Sequence, residues 1–166
     1  MPMTRFIATF GFIGLIPVAP GTFGSLAAIP VAWLLHWLGG FPLLLSATFL
    51  VFFAGLHATR VETMGTADHD PSSIVIDEVV GQWIALFPLS AGLWFGGAAS
   101  HVFPWPGWVG AFILFRIFDI WKPWLVGRAD RMHGPVGVML DDVAAGVFAA
   151  VFVAIAAAIS HGLLMK

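Results

Sequence analysis

The sequence predicts an all-α protein, a polytopic membrane helical bundle of about five spans preceded by a short N-terminal interfacial or re-entrant segment. Of the 166 residues, 60% are hydrophobic and only 10% are charged, whereas soluble domains carry roughly 25% charged residues. So few polar groups cannot cover a water-facing surface. The apolar residues also fall into five runs that suit helical spans: residues 23–39, 41–58, 79–99, 107–123 and 143–164.

The N-terminal segment begins at Arg5 and continues in an apolar run that ends at Pro17. The run is too short for a span, which needs about 20 apolar residues. A signal peptide cleaved after "SLA" (residues 25–27) is an alternative. The single charge and the interrupting Pro17, Pro20 and Gly21 favour the interfacial or re-entrant segment.

The first two predicted spans are separated only by Gly39, Gly40 and Pro42, which predicts a tight helical hairpin. Between the third and fourth spans, "SHVFPWPGW" (residues 100–108) is a proline-broken turn with tryptophans that suit a membrane interface. No linker, low-complexity tract or repeat interrupts the chain. We therefore expect residues 1–166 to form a single domain.

Charges are distributed on one side only of the predicted bundle. When the chain is traced through five spans, every acidic residue falls on the same side, with every Lys and Arg except Lys166. The positive-inside rule makes this side cytoplasmic. Five acids then lie at the cytoplasmic ends of three spans: Asp77 and Glu78, Asp119, and Asp141 and Asp142.

Helical spacing predicts which of these acids face other helices. Small residues recur every four positions from Asp142, through Gly146, Ala150, Ala154 and Ala158, and such a face packs against neighbouring helices. Both aspartates are therefore expected to head the protein-facing side of the fifth span. On the fourth span, the i, i+3 repeat of Arg116, Asp119 and Lys122 predicts one polar stripe.

Clustered acids repel one another and need a compensating cation. An oxygen-ligated ion such as Mg²⁺ suits carboxylates best, whereas the scattered histidines and the absence of cysteine do not favour zinc. Alternatives remain for single residues. Arg116 and Asp119 can form a purely structural ion pair, and Glu78 or Asp141 can be helix N-terminal acids stabilised by the dipole.

The loop "PVAPGTFGS" (residues 17–25) precedes the first span on the same side as the acids. Gly21 and Gly24 allow the backbone to turn, and Thr22 and Ser25 supply hydroxyls, so the loop is a candidate phosphate cradle at a helix N-terminus. A Pro-Gly turn with ordinary Ser/Thr capping explains the same residues.

With these residues identified, the chain resembles the bacterial phosphatidylglycerophosphatase A family along nearly its whole length. The resemblance rests on "APGTFGSLAAIP" (19–30), "DPSSIVIDEVVGQWI" (70–84), "FRIFDIWKPW" (115–124), "DRMHG" (130–134) and "GVMLDDVAAG" (137–146). It implies a multi-pass, Mg²⁺-dependent lipid phosphatase of the inner membrane, with its active site facing the cytoplasm. The implied reaction converts phosphatidylglycerophosphate, a phospholipid substrate, to phosphatidylglycerol and phosphate.

The resemblance and the residue pattern together define a candidate site. Asp77, Glu78, Asp119 and Asp142 are expected to hold one or two Mg²⁺ ions, with Asp141 as a further catalytic acid. Expected phosphate-binding residues are Arg116, Lys122, Gly21, Thr22, Gly24 and Ser25. Asp70 and His133 are possible accessory residues. Attack by water and an aspartyl-phosphate intermediate both remain open.

The rival function is a small membrane transporter or ion carrier that uses the same acids. Transporters tend to place polar groups near the bilayer midplane and to contain repeats, whereas here the acids cluster on one side. A purely structural membrane subunit gives little reason for acids at three helix ends. No basic run or nucleic-acid motif is present, so we expect no nucleic-acid partner.

Overall fold

A computed structural model describes residues 2–66, 68, 71–132 and 134–164. These residues form six α-helices and one short 3-10 turn (Ile13–Leu15), with no strand among them, which confirms the all-α prediction. The helices are α1 (Pro2–Ala8), α2 (Pro20–Thr63), α3 (Ile76–Phe95), α4 (Trp105–Trp121), α5 (Trp124–Asp130) and α6 (Pro135–Leu164).

Helix α2 contains the predicted hairpin. Gly39 and Gly40 leave helical geometry, and Gly40 has a φ of 63°, a conformation that glycine adopts without steric cost. A straight helix of 44 residues would extend for about 66 Å. Instead Gly24 in the first half lies against Val75, and Gly55 in the second half lies against Ile76. The chain therefore reverses at Gly39–Gly40, and both halves begin or end beside the start of α3.

Helix α3 is the centre of the bundle, and the first half of α2 runs parallel to it. Near the start, Trp83 Nε1 donates a hydrogen bond of 2.8 Å to the carbonyl oxygen of Ala28. Further along, His36 Nδ1 and Ser90 Oγ lie 2.8 Å apart in the interior. These two contacts fix the register of α2 on α3.

Helices α4 and α6 pack on other faces of α3 through glycines. A Cβ atom at Gly81 would lie 2.5 Å from the Phe115 ring and 2.6 Å from the carbonyl oxygen of Asp142. A Cβ atom at Gly146 would in turn meet the Gly81 carbonyl. Because ordinary non-bonded carbon contacts are about 3.5–4.0 Å, only glycine permits this spacing. These contacts confirm that the Asp142–Gly146 face of α6 is directed inward.

The small-residue face of α6 does not stay buried along its whole length. Ala145 and Ala149 are fully buried, but Ala154 and Ala158 are exposed. Helix α6 has 30 residues, whereas α3 has 20. Since both helices start at the same end of the bundle, the last turns of α6 extend past α3. The prediction of an inward face is therefore wrong for the C-terminal part of α6.

Two helix boundaries near the predicted site differ from the sequence prediction, and one additional helix is present. Helix α6 begins at Pro135, so Asp141 and Asp142 lie in its second turn and do not head it. Helix α4 ends at Trp121, and Lys122 follows it with a φ of 51°, so the polar stripe stops at Asp119. The segment that follows contains α5, a helix that no apolar run of sufficient length predicts.

The N-terminal segment does not cross the bundle. The Val75 amide donates to the Ala8 carbonyl at 2.9 Å, and Thr4 Oγ1 donates to Glu62 Oε1 at 2.7 Å. Helix α1 therefore lies against the end at which α2 and α3 begin. We call this end, which also contains the end of α4 and the start of α6, the charged end.

Among the residues that the structure describes, two helices are long and apolar enough to cross a membrane by length and composition, α2 and residues 135–162 of α6. Helix α4 has only 17 residues, fewer than the about 20 of a usual span. Helix α3 has 20 residues but carries Asp77, Glu78 and Gln82. The lengths and compositions of the helices therefore do not test the number of spans, and the count of five stays a prediction.

Candidate functional site

A polar cavity of about 330 Å³ opens at the charged end. Four elements meet there: the start of α2, the start of α3, the last turn of α4 and the second turn of α6. The predicted residues that line the cavity are Gly21, Thr22, Asp77, Glu78, Arg116, Asp119, Lys122, Asp141 and Asp142. All five predicted catalytic acids thus surround one volume.

Three of these acids form a tight group that is suited to a metal ion. One carboxylate oxygen from each of Asp77, Glu78 and Asp142 lies within 4.8 Å of the others. Asp77 and Asp142 are only 7% and 3% exposed. Three carboxylates this close repel one another unless a cation is shared between them or protons neutralise them.

The fit of a cation can be judged from the oxygen atoms themselves. Glu78 Oε2 and Asp142 Oδ2 are buried and accept no hydrogen bond from the residues that the structure describes. Burying a charged oxygen without a donor is costly, and a hard divalent cation binds such oxygens directly. The acid group therefore fits a metal ion in its chemistry as well as in its geometry.

Gly21 forms the wall of the cavity that faces these acids. A Cβ atom at this position would collide with Glu78 Oε1 and would lie 3.5 Å from Arg116 Nη1. The absence of a side chain thus allows the start of α2 to approach both the acid group and the arginine. Thr22 follows and also lines the cavity.

Two cationic residues face the cavity, and each is already paired with an acid. Arg116 Nη1 donates to Asp119 Oδ2 at 2.5 Å, while the buried Arg116 Nε has no partner among the described residues. The ion pair considered from sequence alone therefore exists, but it lies inside the cavity. An arginine with an unused donor can bind a further oxyanion.

Lys122 connects the end of α4 to α5 and α6. Its Nζ donates to Asp141 Oδ2 at 2.8 Å and also to Asp130 Oδ1. Partial burial by itself would lower the pKa of this ammonium, but the hydrogen bonds to Asp130 and Asp141 outweigh burial and raise the pKa above its usual value. Lys122 therefore stays positively charged at the rim of the cavity.

The remaining predicted residues lie outside the three-acid group, and some of them do not line the cavity. Asp119 pairs with Arg116 and Asp141 with Lys122, so neither belongs to the three-acid group. Gly24 lies against Val75, and the buried Ser25 donates its hydroxyl to the Gly21 carbonyl at 2.8 Å. These two residues support the helix packing behind the cavity and do not line it. Asp70 and His133 lie outside the described residues.

Sequence reasoning missed three contributors. Ser72 and Ile74, in the segment before α3, also line the cavity, as do Ala19 and Pro20 of the predicted cradle. Asp130 is the second partner of Lys122. Lys122 and Asp130 are eight residues apart, and this spacing does not predict a contact. The contact can be expected only once the short helix α5 between them is known. The "DPSSIVIDE" segment contained Ser72 and Ile74, but no periodicity distinguished them from their neighbours.

Taken together, the cavity combines an acid group that could hold a metal ion with two cations that can bind an oxyanion. It opens at one end of an apolar bundle, beside the start of several helices. This combination suits the binding and hydrolysis of a phosphate ester whose remainder is apolar.

Comparison with known proteins agrees with this chemistry. The family model for phosphatidylglycerophosphatase A matches residues 6–157. The chain is 40% identical to the phosphatidylglycerophosphatase A of Escherichia coli strain K12 over 139 residues, which are 82% of this chain and 73% of that protein. It is 38% identical to the Haemophilus influenzae phosphatidylglycerophosphatase A over 141 residues, covering 84% and 80% of the two chains.

The name of a third relative refers to a different lipid. The chain is 40% identical to a putative phosphatidylinositol-3-phosphatase of Bacteroides thetaiotaomicron over 148 residues, covering 86% of both chains. No solved structure matches the chain. The match along residues 6–157 and the identity to these relatives establish that the chain belongs to the phosphatidylglycerophosphatase A family.

Proposed function

We propose that this chain is a Mg²⁺-dependent phosphatase that removes the terminal phosphate of phosphatidylglycerophosphate, giving phosphatidylglycerol and inorganic phosphate. Family membership supports the class of reaction and the lipid. The observation that carries the proposal is the group of Asp77, Glu78 and Asp142 opposite Arg116 and Lys122 in one cavity. A carrier of ions across the membrane would not need this arrangement at a single end.

The proposed mechanism assigns roles to six residues of the cavity. Asp77, Glu78 and Asp142 would hold Mg²⁺, which would supply Lewis-acid chemistry to the phosphate ester. Arg116 binds a phosphate oxygen through its guanidinium group, and Asp119 keeps the guanidinium in place. Lys122 supplies a second positive charge to the phosphate. Attack of a water oxygen on phosphorus forms the new P–O bond of inorganic phosphate and breaks the bond to the glycerol oxygen. The proton that the water gives up balances the proton that the leaving glycerol oxygen takes.

The attacking group is the part of the mechanism that needs a separate test. We propose that water is the attacking group. The three acids that lie closest to one another are better suited to bind a metal ion than to act as a nucleophile. Rapid quenching during turnover of ³²P-labelled substrate distinguishes the two cases. Label that stays on the protein, and is released by hydroxylamine, would instead indicate an aspartyl-phosphate.

We also propose that the bundle spans the bacterial inner membrane five times, with the charged end in the cytoplasm. Large apolar side chains are exposed on the outer surface of the bundle, among them Phe49, Leu50, Phe53 and Ile155. Water does not favour so many exposed apolar groups on one surface. The charged end then lies at the level of the lipid headgroups, where the phosphate of the substrate is found.

The decisive experiment measures phosphate release by the purified chain in detergent micelles. Substrates are phosphatidylglycerophosphate and phosphatidylinositol-3-phosphate, each with Mg²⁺ and with EDTA. Asp142→Asn is compared with Glu62→Gln, because Glu62 lies outside the cavity and contacts Thr4. We expect Mg²⁺-dependent release from phosphatidylglycerophosphate that is lost only in Asp142→Asn.

Two results would contradict the proposal. Release that persists in EDTA or in folded Asp142→Asn would remove the acid group from the reaction. Preferred hydrolysis of phosphatidylinositol-3-phosphate would keep the phosphatase and change its lipid. If neither lipid is hydrolysed by folded protein, ion flux in liposomes tests the transporter alternative.

A further inference from the structure

A second concave surface lies between α2 and α4, on the parts of these helices that are further from the charged end. This groove has a volume of about 480 Å³ and is mainly apolar, a size within the usual range for ligand pockets, about 300–1,000 Å³. Its lining residues come from the first half of α2, the start of α4 and the loop between α3 and α4: Leu26, Ile29, Pro30, Trp33, His101, Phe103 and Trp108.

The groove continues the face of α2 that forms the cavity. Thr22 lines the cavity, Leu26 lies one turn further in the groove, and Trp33 lies two turns beyond Leu26. Residues with separations of four and seven occupy the same side of a helix. From Thr22 to Trp33 the helix rises about 16.5 Å, which is close to the depth of one leaflet of a hydrocarbon core about 30 Å thick.

Helix α4 forms the opposite side in the reverse direction. Arg116 lines the cavity, and Trp108, eight residues earlier and about 80° around the helix, lines the groove. The two helices therefore carry polar residues together at the charged end and apolar residues together further along. A ligand with a phosphate at one end and a hydrocarbon chain at the other matches this order.

The far end of the groove is closed by a hydrogen bond. Trp33 Nε1 donates to the carbonyl oxygen of His101 at 3.1 Å, which joins α2 to the loop before α4. Phe103 lies behind this contact, beside the buried His36 ring. The groove thus has an open side, an end at Leu26 that is directed toward the cavity, and a far end bounded by Trp33 and His101.

We propose that the groove binds one acyl chain of the phospholipid substrate while the phosphate of the same molecule lies in the cavity. This inference rests on the proposed function, because it takes the cavity to be the phosphate site. The bound chain holds the headgroup in register with the acids, so that groove contacts are used for positioning. Burial of the acyl chain in the groove contributes little binding free energy, since the bilayer that the chain leaves is equally apolar.

The test uses two leucines of α2 that are equally exposed. Leu26 lies in the groove and is 41% exposed, whereas Leu34 lies outside the lining and is 42% exposed. Leu26→Trp fills the groove, and Leu34→Trp adds the same ring elsewhere on the helix. Both are assayed with dipalmitoyl and with dihexanoyl phosphatidylglycerophosphate at equal surface concentration in mixed micelles.

For Leu26→Trp, we expect kcat/KM on the dipalmitoyl substrate to fall about tenfold relative to the dihexanoyl substrate, as for a hydrophobic pocket with altered fit. The ratio is expected to be unchanged in Leu34→Trp. Equal changes in both variants, or no change in either while the wild type is active, would overturn the proposal. A wild-type protein that hydrolyses neither substrate would instead count against the proposed function.

Photo-crosslinking tests the same groove without turnover. The probe is a phosphonate analogue of phosphatidylglycerophosphate with a diazirine at the end of one acyl chain. We expect label on Trp33 or Trp108, reduced by unlabelled phosphonate but not by phosphatidylethanolamine. Label that is spread evenly over exposed helices, including Phe49 and Phe53, would overturn the proposal. Label that phosphatidylethanolamine removes equally well would assign the groove to bulk membrane lipid.

Discussion

The close approach of Gly21 to Glu78 gives the sharpest test of the candidate site. In Gly21→Ala, the new methyl group would collide with Glu78 Oε1 and would lie 3.0 Å from Glu78 Cδ. Because non-bonded heavy atoms prefer a separation of about 3.5–4.0 Å and Oε1 is nearer than Cδ, the carboxyl group must retreat by about 1 Å or more. The atoms in contact belong to the end of a flexible side chain, so the helix itself need not move.

The expected effect is large on activity and small on stability. Misplacement of a catalytic group by about 1 Å can cost about 100-fold, which corresponds to about 2.7 kcal/mol of transition-state stabilisation. Replacement of a helical glycine by alanine usually stabilises a helix by about 0.5–1 kcal/mol. We therefore expect kcat/KM to fall about 100-fold while the thermal midpoint is unchanged or slightly raised.

The assay is phosphate release from phosphatidylglycerophosphate, with circular dichroism for stability and Gly92→Ala as the matched control. Gly92 lies in α3, and nothing is within 4 Å of the position of its Cβ. If folded Gly21→Ala is as active as Gly92→Ala, Glu78 is not positioned for the reaction. In the double variant with Glu78→Asp, the shorter acid no longer reaches the new methyl group. The losses of activity in the two single variants should therefore combine to less than their product.

Three further predictions concern the metal, the packing and the lysine. Mg²⁺ should raise the thermal midpoint of wild type but not of Asp142→Asn, since a bound ion stabilises only the folded protein that binds it. Gly81→Ala should lower the free energy of unfolding by about 1–3 kcal/mol through overpacking, measured by denaturant titration, whereas Gly110→Ala, whose Cβ would meet nothing within 4 Å, should not. Lys122→Met should raise KM about tenfold or more, as loss of a charged hydrogen bond of about 1.5–3 kcal/mol predicts. Asp130→Asn should change KM little, because Asp141 still holds Lys122. An unshifted midpoint with Mg²⁺, a stable Gly81→Ala or equal KM values for Lys122→Met and wild type would each contradict the corresponding assignment.

The sequence by itself determined the long apolar helices and the end at which the acids collect, but not the short helix α5. Apolar runs of sufficient length form helices whatever their neighbours are, and Gly39 and Gly40 reverse the chain because few other residues accept that backbone geometry. Successive helices of similar length then alternate in direction. For this reason Asp77, Asp119 and Asp142 reach the same end, as the one-sided distribution of charge indicates.

Local spacing was less reliable at helix ends without a strong apolar signal. Pro135 starts α6 within a stretch of mixed polarity, and Lys122 leaves α4 in a left-handed conformation before Pro123. The i, i+3 repeat from Arg116 to Lys122 assumes that the helix continues, and here it does not. The early start of α6 likewise moved Asp141 and Asp142 from the helix terminus into its interior.

Only the tertiary structure decided which acids meet. Glu78 and Asp142 form the three-acid group with Asp77, whereas Asp119 pairs with Arg116 and Asp141 with Lys122. The rotation of each helix about its own axis sets the direction of these side chains, and contacts between distant helices fix that rotation. Gly81 against Gly146, and Gly21 against Glu78, are such contacts. Spacing along one helix defines a face but does not say which residue of another helix lies opposite.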